Sequence, residues 1–159
     1  MLPEKFKSAD QLARIHDEMD SAGHRLVFTN GCFDLLHTGH VRYLQQARAL
    51  GDALVVALNG DESVRALKGP TRPINAEQDR AEVLAALACV DFVTIFPDER
   101  VTDLVREIRP HIYAKGGDYT VESLNPNELA ALREVGTEIK ILPLVPDKST
   151  TAIIEKWKS

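Results

Sequence analysis

The stretch Leu26-Val27-Phe28-Thr29-Asn30-Gly31-Cys32-Phe33-Asp34-Leu35-Leu36-His37-Thr38-Gly39-His40 runs from apolar residues through a polar turn into a helical pattern. The apolar start predicts a strand over 25–29. Val41, Leu44 and Ala47 predict the inner face of a helix over 39–50, ended by Gly51. Two histidines and a glycine therefore stand where a strand hands over to a helix. A helix start offers N–H groups without helical partners and a partial positive charge, which suits an anion. His37 and His40, three residues apart, can both face that anion, and Gly39 lets the backbone come close to it. The pattern predicts a phosphate-handling site.

The same alternation continues on both sides. Leu12, Ile15, Met19 and Ala22 recur at helical spacing between a capping Ser8 and a terminating Gly23, which predicts a leading helix on the outside of the domain. Residues 53–58 are continuously apolar, as in a central strand covered on both faces. Asp61 is expected to cap a short helix through Leu67. Further helices are predicted over 76–88, with Val83, Leu84 and Leu87 inward, and over 101–108, 127–135 and 149–157. Further strands are predicted over 90–96, 111–114 and 138–142. The expectation is α/β: a single Rossmann-like, doubly wound parallel sheet of five strands with helices on both faces. One domain is expected, with a leading helix over 1–24 and a core over 25–159. Right-handed crossovers place every strand's carboxyl end on one edge, where such sheets bind ligands.

Lys and Arg number 19 against 24 Asp and Glu, a net charge of −5. That balance gives no general attraction to nucleic acid or to a membrane surface, so a bound anion must be held by local groups. No stretch approaches the roughly 20 apolar residues of a membrane span, and residues 1–20 lack an apolar signal core. Cys32 and Cys89 have neither CxxC nor zinc spacing and read as buried free thiols, which favours the cytoplasm.

Several segments converge on the predicted edge, each with a plainer alternative. His37 and His40 can donate to phosphate oxygens and, when protonated, offset developing charge. Histidines that merely cap a helix, or that hold zinc, are the alternatives; no third zinc ligand is obvious nearby. Asp34 reads as a structural acceptor or a magnesium neighbour. Ser149-Thr150-Thr151 opens the last helix, as a simple cap or as a phosphate cradle. Lys115-Gly116-Gly117-Asp118 ends a strand, either as a glycine turn with a surface lysine or as a fixed cation with room beside it for a base or sugar. Lys68 and Arg72 make a cationic loop with the same two readings. Arg80 reads as a solvated arginine or an anion contact. No GxGxxG, GxxxxGK[ST] or GxSxG pattern occurs, which argues against a dinucleotide fold fingerprint, a P-loop and a nucleophile elbow.

Together the 30–40 segment and the Ser149-Thr150-Thr151 helix start resemble the cytidylyltransferase-like nucleotidyltransferases. More narrowly, Leu58-Asn59-Gly60-Asp61-Glu62-Ser63-Val64, Leu67-Lys68-Gly69, Arg72-Pro73-Ile74-Asn75, Lys115-Gly116-Gly117-Asp118-Tyr119 and Leu142-Pro143-Leu144 look like the heptose 1-phosphate adenylyltransferases, in their stand-alone rather than kinase-fused form. The resemblance implies that a sugar phosphate attacks the α-phosphate of ATP and pyrophosphate leaves, giving ADP-heptose for the lipopolysaccharide inner core. It implies that His37 and His40 hold the triphosphate and the transition state, and that Lys115 and Lys68 neutralise phosphates. Ser149, Thr150 and Thr151 would bind the β- and γ-phosphates. Asn30, Gly31, Cys32, Phe33, Asp34, Gly39, Asn59, Arg72, Arg80 and Gly116 would surround the nucleotide, with Asp61 and Asp118 on sugar hydroxyls. Magnesium would arrive on the triphosphate, since it keeps many waters and few protein ligands. Partners would be the small-molecule substrates alone, and enzymes of this kind are commonly dimers. Glycerol-3-phosphate cytidylyltransferase, FMN adenylyltransferase and a non-catalytic nucleotide sensor are the competing readings. One departure is Pro146-Asp147-Lys148, where such enzymes often carry a glycine; it implies a stiffer loop, with Lys148 as a further phosphate contact.

Overall fold

The computed structural model describes residues 3–117, 119–143 and 149–159. Five strands, β1 (Leu26–Gly31), β2 (Ala53–Asn59), β3 (Phe92–Phe96), β4 (Ile112–Gly116) and β5 (Glu138–Leu142), form one all-parallel sheet in the order β3-β2-β1-β4-β5. The chain winds outward from β1 through β2 to β3, then returns to pair β4 with β1. The direction therefore reverses between β1 and β4, the point where open parallel sheets leave a crevice at their carboxyl edge. The fold predicted from the alternation is the fold observed.

Strand alternation divides the apolar residues between two cores. Leu26, Phe28, Ala53, Val55 and Ala57 face one side. There they meet helix α1 (Ala9–Ser21) through Leu12, α5 (Thr102–Ile108) through Val105 and Ile108, and α6 (Pro126–Glu134) through Ala131 and Leu132. Val27, Leu54, Val56 and Leu58 face the other, against α2 (Thr38–Arg48) through Leu44 and Ala47, and α4 (Glu77–Ala85) through Ala81, Leu84 and Ala85. Two further helices, α3 (Asp61–Lys68) and α7 (Thr150–Lys158), flank the carboxyl edge.

Helix α1 packs on the outside of the sheet through the fully buried Leu12, and Phe6 bridges to Val93 ahead of it. Two local expectations change. Val83 is 52% exposed, because Arg80, Ala81, Leu84 and Ala85 form the buried face of α4 and Val83 lies outside it. Asp61 does not cap α3: Gly60 is the N-cap, and the Glu77 carboxylate takes the Asp61 N–H at 2.7 Å. A Cβ on Gly60 would lie 2.9 Å from that carboxylate, which explains the glycine. Among the described residues no helix is long and apolar enough to cross a membrane.

Candidate active site

A cleft of about 530 Å³ opens at the carboxyl edge over β1 and β4. Its floor is the end of β1. Thr29 is tied by Oγ1 to the Tyr43 hydroxyl (2.7 Å) and to the Ala114 carbonyl (2.9 Å), and Asn30 accepts from the Tyr113 hydroxyl at 2.7 Å. Burial pushes the Tyr43 hydroxyl up to about 12, so it stays a neutral donor. The chain then turns sharply: Phe33 takes a left-handed φ of 47°, and a Cβ on Gly31 would sit 2.8 Å from the Phe33 ring. Gly31 is a packing necessity of this turn. Gly116 is another, with Tyr43 2.9 Å from where its Cβ would be.

His37 is the N-cap of α2 and His40 its third residue. The Gly39 N–H donates to His37 Nδ1 at 3.1 Å, and the His37 N–H donates to His40 Nδ1 at 3.3 Å. Both rings thus accept through Nδ1, which leaves Nε2 to carry the ring proton. The rings stack with centroids 3.9 Å apart, and Phe33 packs on His40 at 5.3 Å. Burial, and after it the neighbouring His37, push the His40 pKa down to about 4. His40 is accordingly a neutral donor near neutral pH, not the protonated one entertained from sequence.

This shift has a measurable consequence. An unfolded histidine takes up its proton near pH 6.5, whereas folded His40 does so only near pH 4. Between those values the unfolded chain binds more protons, so stability is full above the window and falls as pH drops through it. His40→Asn is expected to lose less stability than the parent between about pH 7 and about pH 5, read by urea denaturation. Equal losses would contradict it.

Most of the predicted residues do meet here. Asn30, Gly31, Cys32, Phe33, Asp34, His37, Gly39, His40, Asn59, Lys68, Arg72, Lys115, Gly116, Ser149, Thr150 and Thr151 all border the cleft. Lys115 lies over the Tyr119 ring at 5.1 Å. Ser149 caps α7, accepting from the Ala152 N–H at 3.0 Å, and Thr150 Oγ1 donates to the Leu35 carbonyl at 3.0 Å. The start of α7 is thereby fixed against the turn that precedes α2. Cys32 is half-buried, and burial, only partly opposed by Lys68 and Arg80, raises its thiol pKa, in keeping with an inert thiol.

Four residues expected to touch ligand are spent on structure. Arg80 is 2% exposed and donates to the carbonyls of Asn75 (2.9 Å), Cys32 (2.8 Å) and Asn59 (2.8 Å), and to Asp61 Oδ1 (2.7 Å). It is neither solvated nor an anion contact, and neither it nor Asp61 borders the cleft. Asp34 accepts from Arg72 Nε (2.7 Å) and from the N–H groups of Ile74 (2.9 Å) and Asn75 (3.0 Å). Burial works to raise its pKa, but the Asn75 and Ile74 amides and Arg72 outweigh it and hold the carboxyl below its ordinary value. Asp34 is the structural acceptor, and Arg72 is its partner at the cleft wall. Asp118 and the Pro146-Asp147-Lys148 segment lie outside the described residues. Sequence reasoning missed Tyr43, Glu99, Arg100 and Glu128, which also border the cleft. Glu128 follows a helix-starting Asn125-Pro126 at the same sheet edge, a signal that was available.

A family model described as cytidylyltransferase-like matches residues 28–156. The chain is 51% identical over 152 residues to "Bifunctional protein HldE" of Pelobacter propionicus, covering 96% of this chain and 31% of that protein. It is also 51% identical over 155 residues to the protein of the same name from Geotalea uraniireducens, covering 98% of this chain and 31% of the relative. The chain thus spans about a third of the length of these curated relatives. Among solved structures, the lipopolysaccharide core biosynthesis protein from Thermoplasma volcanium superposes with a TM-score of 0.64 at 30% identity, over 77% of this chain and 98% of that one.

Proposed function

The chain belongs to the cytidylyltransferase-like family, whose members are nucleotidyltransferases acting on a nucleoside triphosphate, and from that premise we propose that it transfers AMP from ATP to a heptose 1-phosphate. The products are ADP-heptose and pyrophosphate, for lipopolysaccharide inner-core synthesis. The observation that carries the reading is one cleft bordered by two helix starts, two histidines and two lysines. His37 and His40 donate from Nε2 to the α-phosphate oxygens, where negative charge grows as the new bond forms. The start of α7 and the Ser149 hydroxyl take the β- and γ-phosphates. Lys68 and Lys115 offset the remaining charge. No covalent nucleophile is needed, since positioning and charge stabilisation drive such transfers.

Magnesium fits as part of the nucleotide substrate. Among the described residues no group of three His, Cys, Asp or Glu is arranged to hold a metal, and the Asp34 carboxylate is already saturated. An ion carried by phosphate oxygens and waters asks for no such cage.

Pyrophosphate release over pairs of nucleotide and acceptor tests the proposal. ATP with D-glycero-β-D-manno-heptose 1-phosphate is expected to be the fastest pair by an order of magnitude or more. CTP with glycerol 3-phosphate, or ATP with FMN, turning over as fast would move the chain to another branch of the family.

A further inference from the structure

Glu128 stands in the first turn of α6, borders the cleft and is only 5% exposed. A glutamate or glutamine at this third helical position commonly reaches back to the N-cap's own N–H and closes a capping box. Gln11 does so in α1, taking the Ser8 N–H at 2.9 Å. In α6 the capping is one-sided: Asn125 Oδ1 accepts from the N–H groups of Asn127 (3.0 Å) and Glu128 (3.3 Å), and the Glu128 carboxyl does not return the bond. Among the described residues that carboxyl makes no hydrogen bond or ion pair. No fully sealed side-chain oxygen or nitrogen among them lacks a partner, so the Glu128 oxygens open to the cleft. With only 5% of the residue exposed and no partner in the protein, the carboxyl is left to be satisfied from the cleft.

The kind of ligand follows from charge and from the geometry of the transfer. A carboxyl repels phosphate, so it serves neutral donors such as hydroxyls. Thr150 anchors α7 to the turn before α2. Ile153 and Trp157 then border a second hollow with Arg80 and Val83, which puts α7 on the α2 and α4 side of the sheet. With the leaving pyrophosphate held at the start of α7, an in-line nucleophile must arrive from the opposite side. That is the side on which α5 and α6 pack. Exposed Arg100, just ahead of α5, and Glu128 of α6 both border the cleft there.

We propose that Glu128 is a specificity residue for the acceptor, its carboxyl accepting hydrogen bonds from hydroxyls of the sugar that carries the attacking phosphate. The proposal rests on the nucleotidyl-transfer reading above and extends it to the acceptor's polyol.

Steady-state kinetics of Glu128→Gln and Glu128→Ala, with ATP and the acceptor phosphate that the parent uses best, test it. Hydrogen bonds to a charged group justify a rise of roughly ten- to a hundredfold in acceptor KM, with ATP KM nearly unchanged. The parent should discriminate against at least one monodeoxy analogue of its acceptor, and Glu128→Ala should lose that discrimination. The analogue series on the parent needs no variant, so a folding defect leaves the proposal open to refutation. An unchanged acceptor KM in a folded variant would overturn it. So would a rise in ATP KM instead, or a parent indifferent to every hydroxyl. A best acceptor other than heptose 1-phosphate would refute the heptose reading while this test still runs on that acceptor. No pyrophosphate release with any acceptor phosphate would end both.

Discussion

Replacing His37 or His40 by alanine is expected to cut kcat roughly a hundredfold, as the loss of one donor to transition-state charge typically does, while ATP binding changes much less. The expectation follows from how the rings are held. Each Nδ1 is occupied by a backbone N–H, the rings stack at 3.9 Å, and Phe33 backs His40. The donors are therefore in place before substrate arrives, and little reorganisation remains for the transition state. A neutral His40 acts by hydrogen bonding rather than by fixed charge. His40→Asn, which keeps a neutral donor, should retain more activity than His40→Ala. Single-turnover rates, together with calorimetric ATP affinities, would separate chemistry from binding. Turnover within threefold of the parent in both alanine variants, an effect of less than about 1 kcal/mol on the barrier, would remove the histidines from the chemistry.

The second large effect concerns stability. Arg80→Met keeps an apolar stem of similar length but removes four hydrogen bonds at 2.7–2.9 Å. Those bonds join the carbonyl of the turn after β1, the end of β2, the segment before α4 and the first residue of α3. The substitution leaves three inward-facing carbonyls and the Asp61 carboxylate without their cation. Each buried acceptor left unpaired ordinarily costs about 1–3 kcal/mol, so the loss is a large part of the stability of a domain this size. Urea denaturation of parent and variant would measure it. A loss below about 1 kcal/mol, the scale of an ordinary surface change, would mean that Arg80 is not the tie described.

Strand and helix order was legible because both cores are continuous. Residues 53–58 are apolar without a break since β2 is covered on both faces, and the glycines and capping residues mark most of the ends. The cleft was legible where chemistry and topology coincide, as at His37, His40 and the start of α7. Charge was the weaker guide. A cation in a loop or at a helix start looks the same in sequence whether it meets a phosphate or a carbonyl. Arg80 and Arg72 turn inward because Asp61, Asp34 and several carbonyls need donors there, and those partners lie 19 and 38 residues away. Asn125-Pro126 marked Glu128 as a helix-start residue, but its place at the cleft rests on a bond that it does not make to its own helix, which sequence does not show.

The central claim is that the acceptor's phosphate oxygen attacks the α-phosphorus of ATP in the cleft at His37 and His40. Heptose 1-phosphate carrying ¹⁸O in its phosphate, incubated with ATP and the protein, tests it by mass spectrometry of the products. The account predicts that all of the label appears in the nucleotide sugar and none in pyrophosphate. Label in pyrophosphate, or AMP formed with the labelled sugar phosphate unchanged, would contradict it.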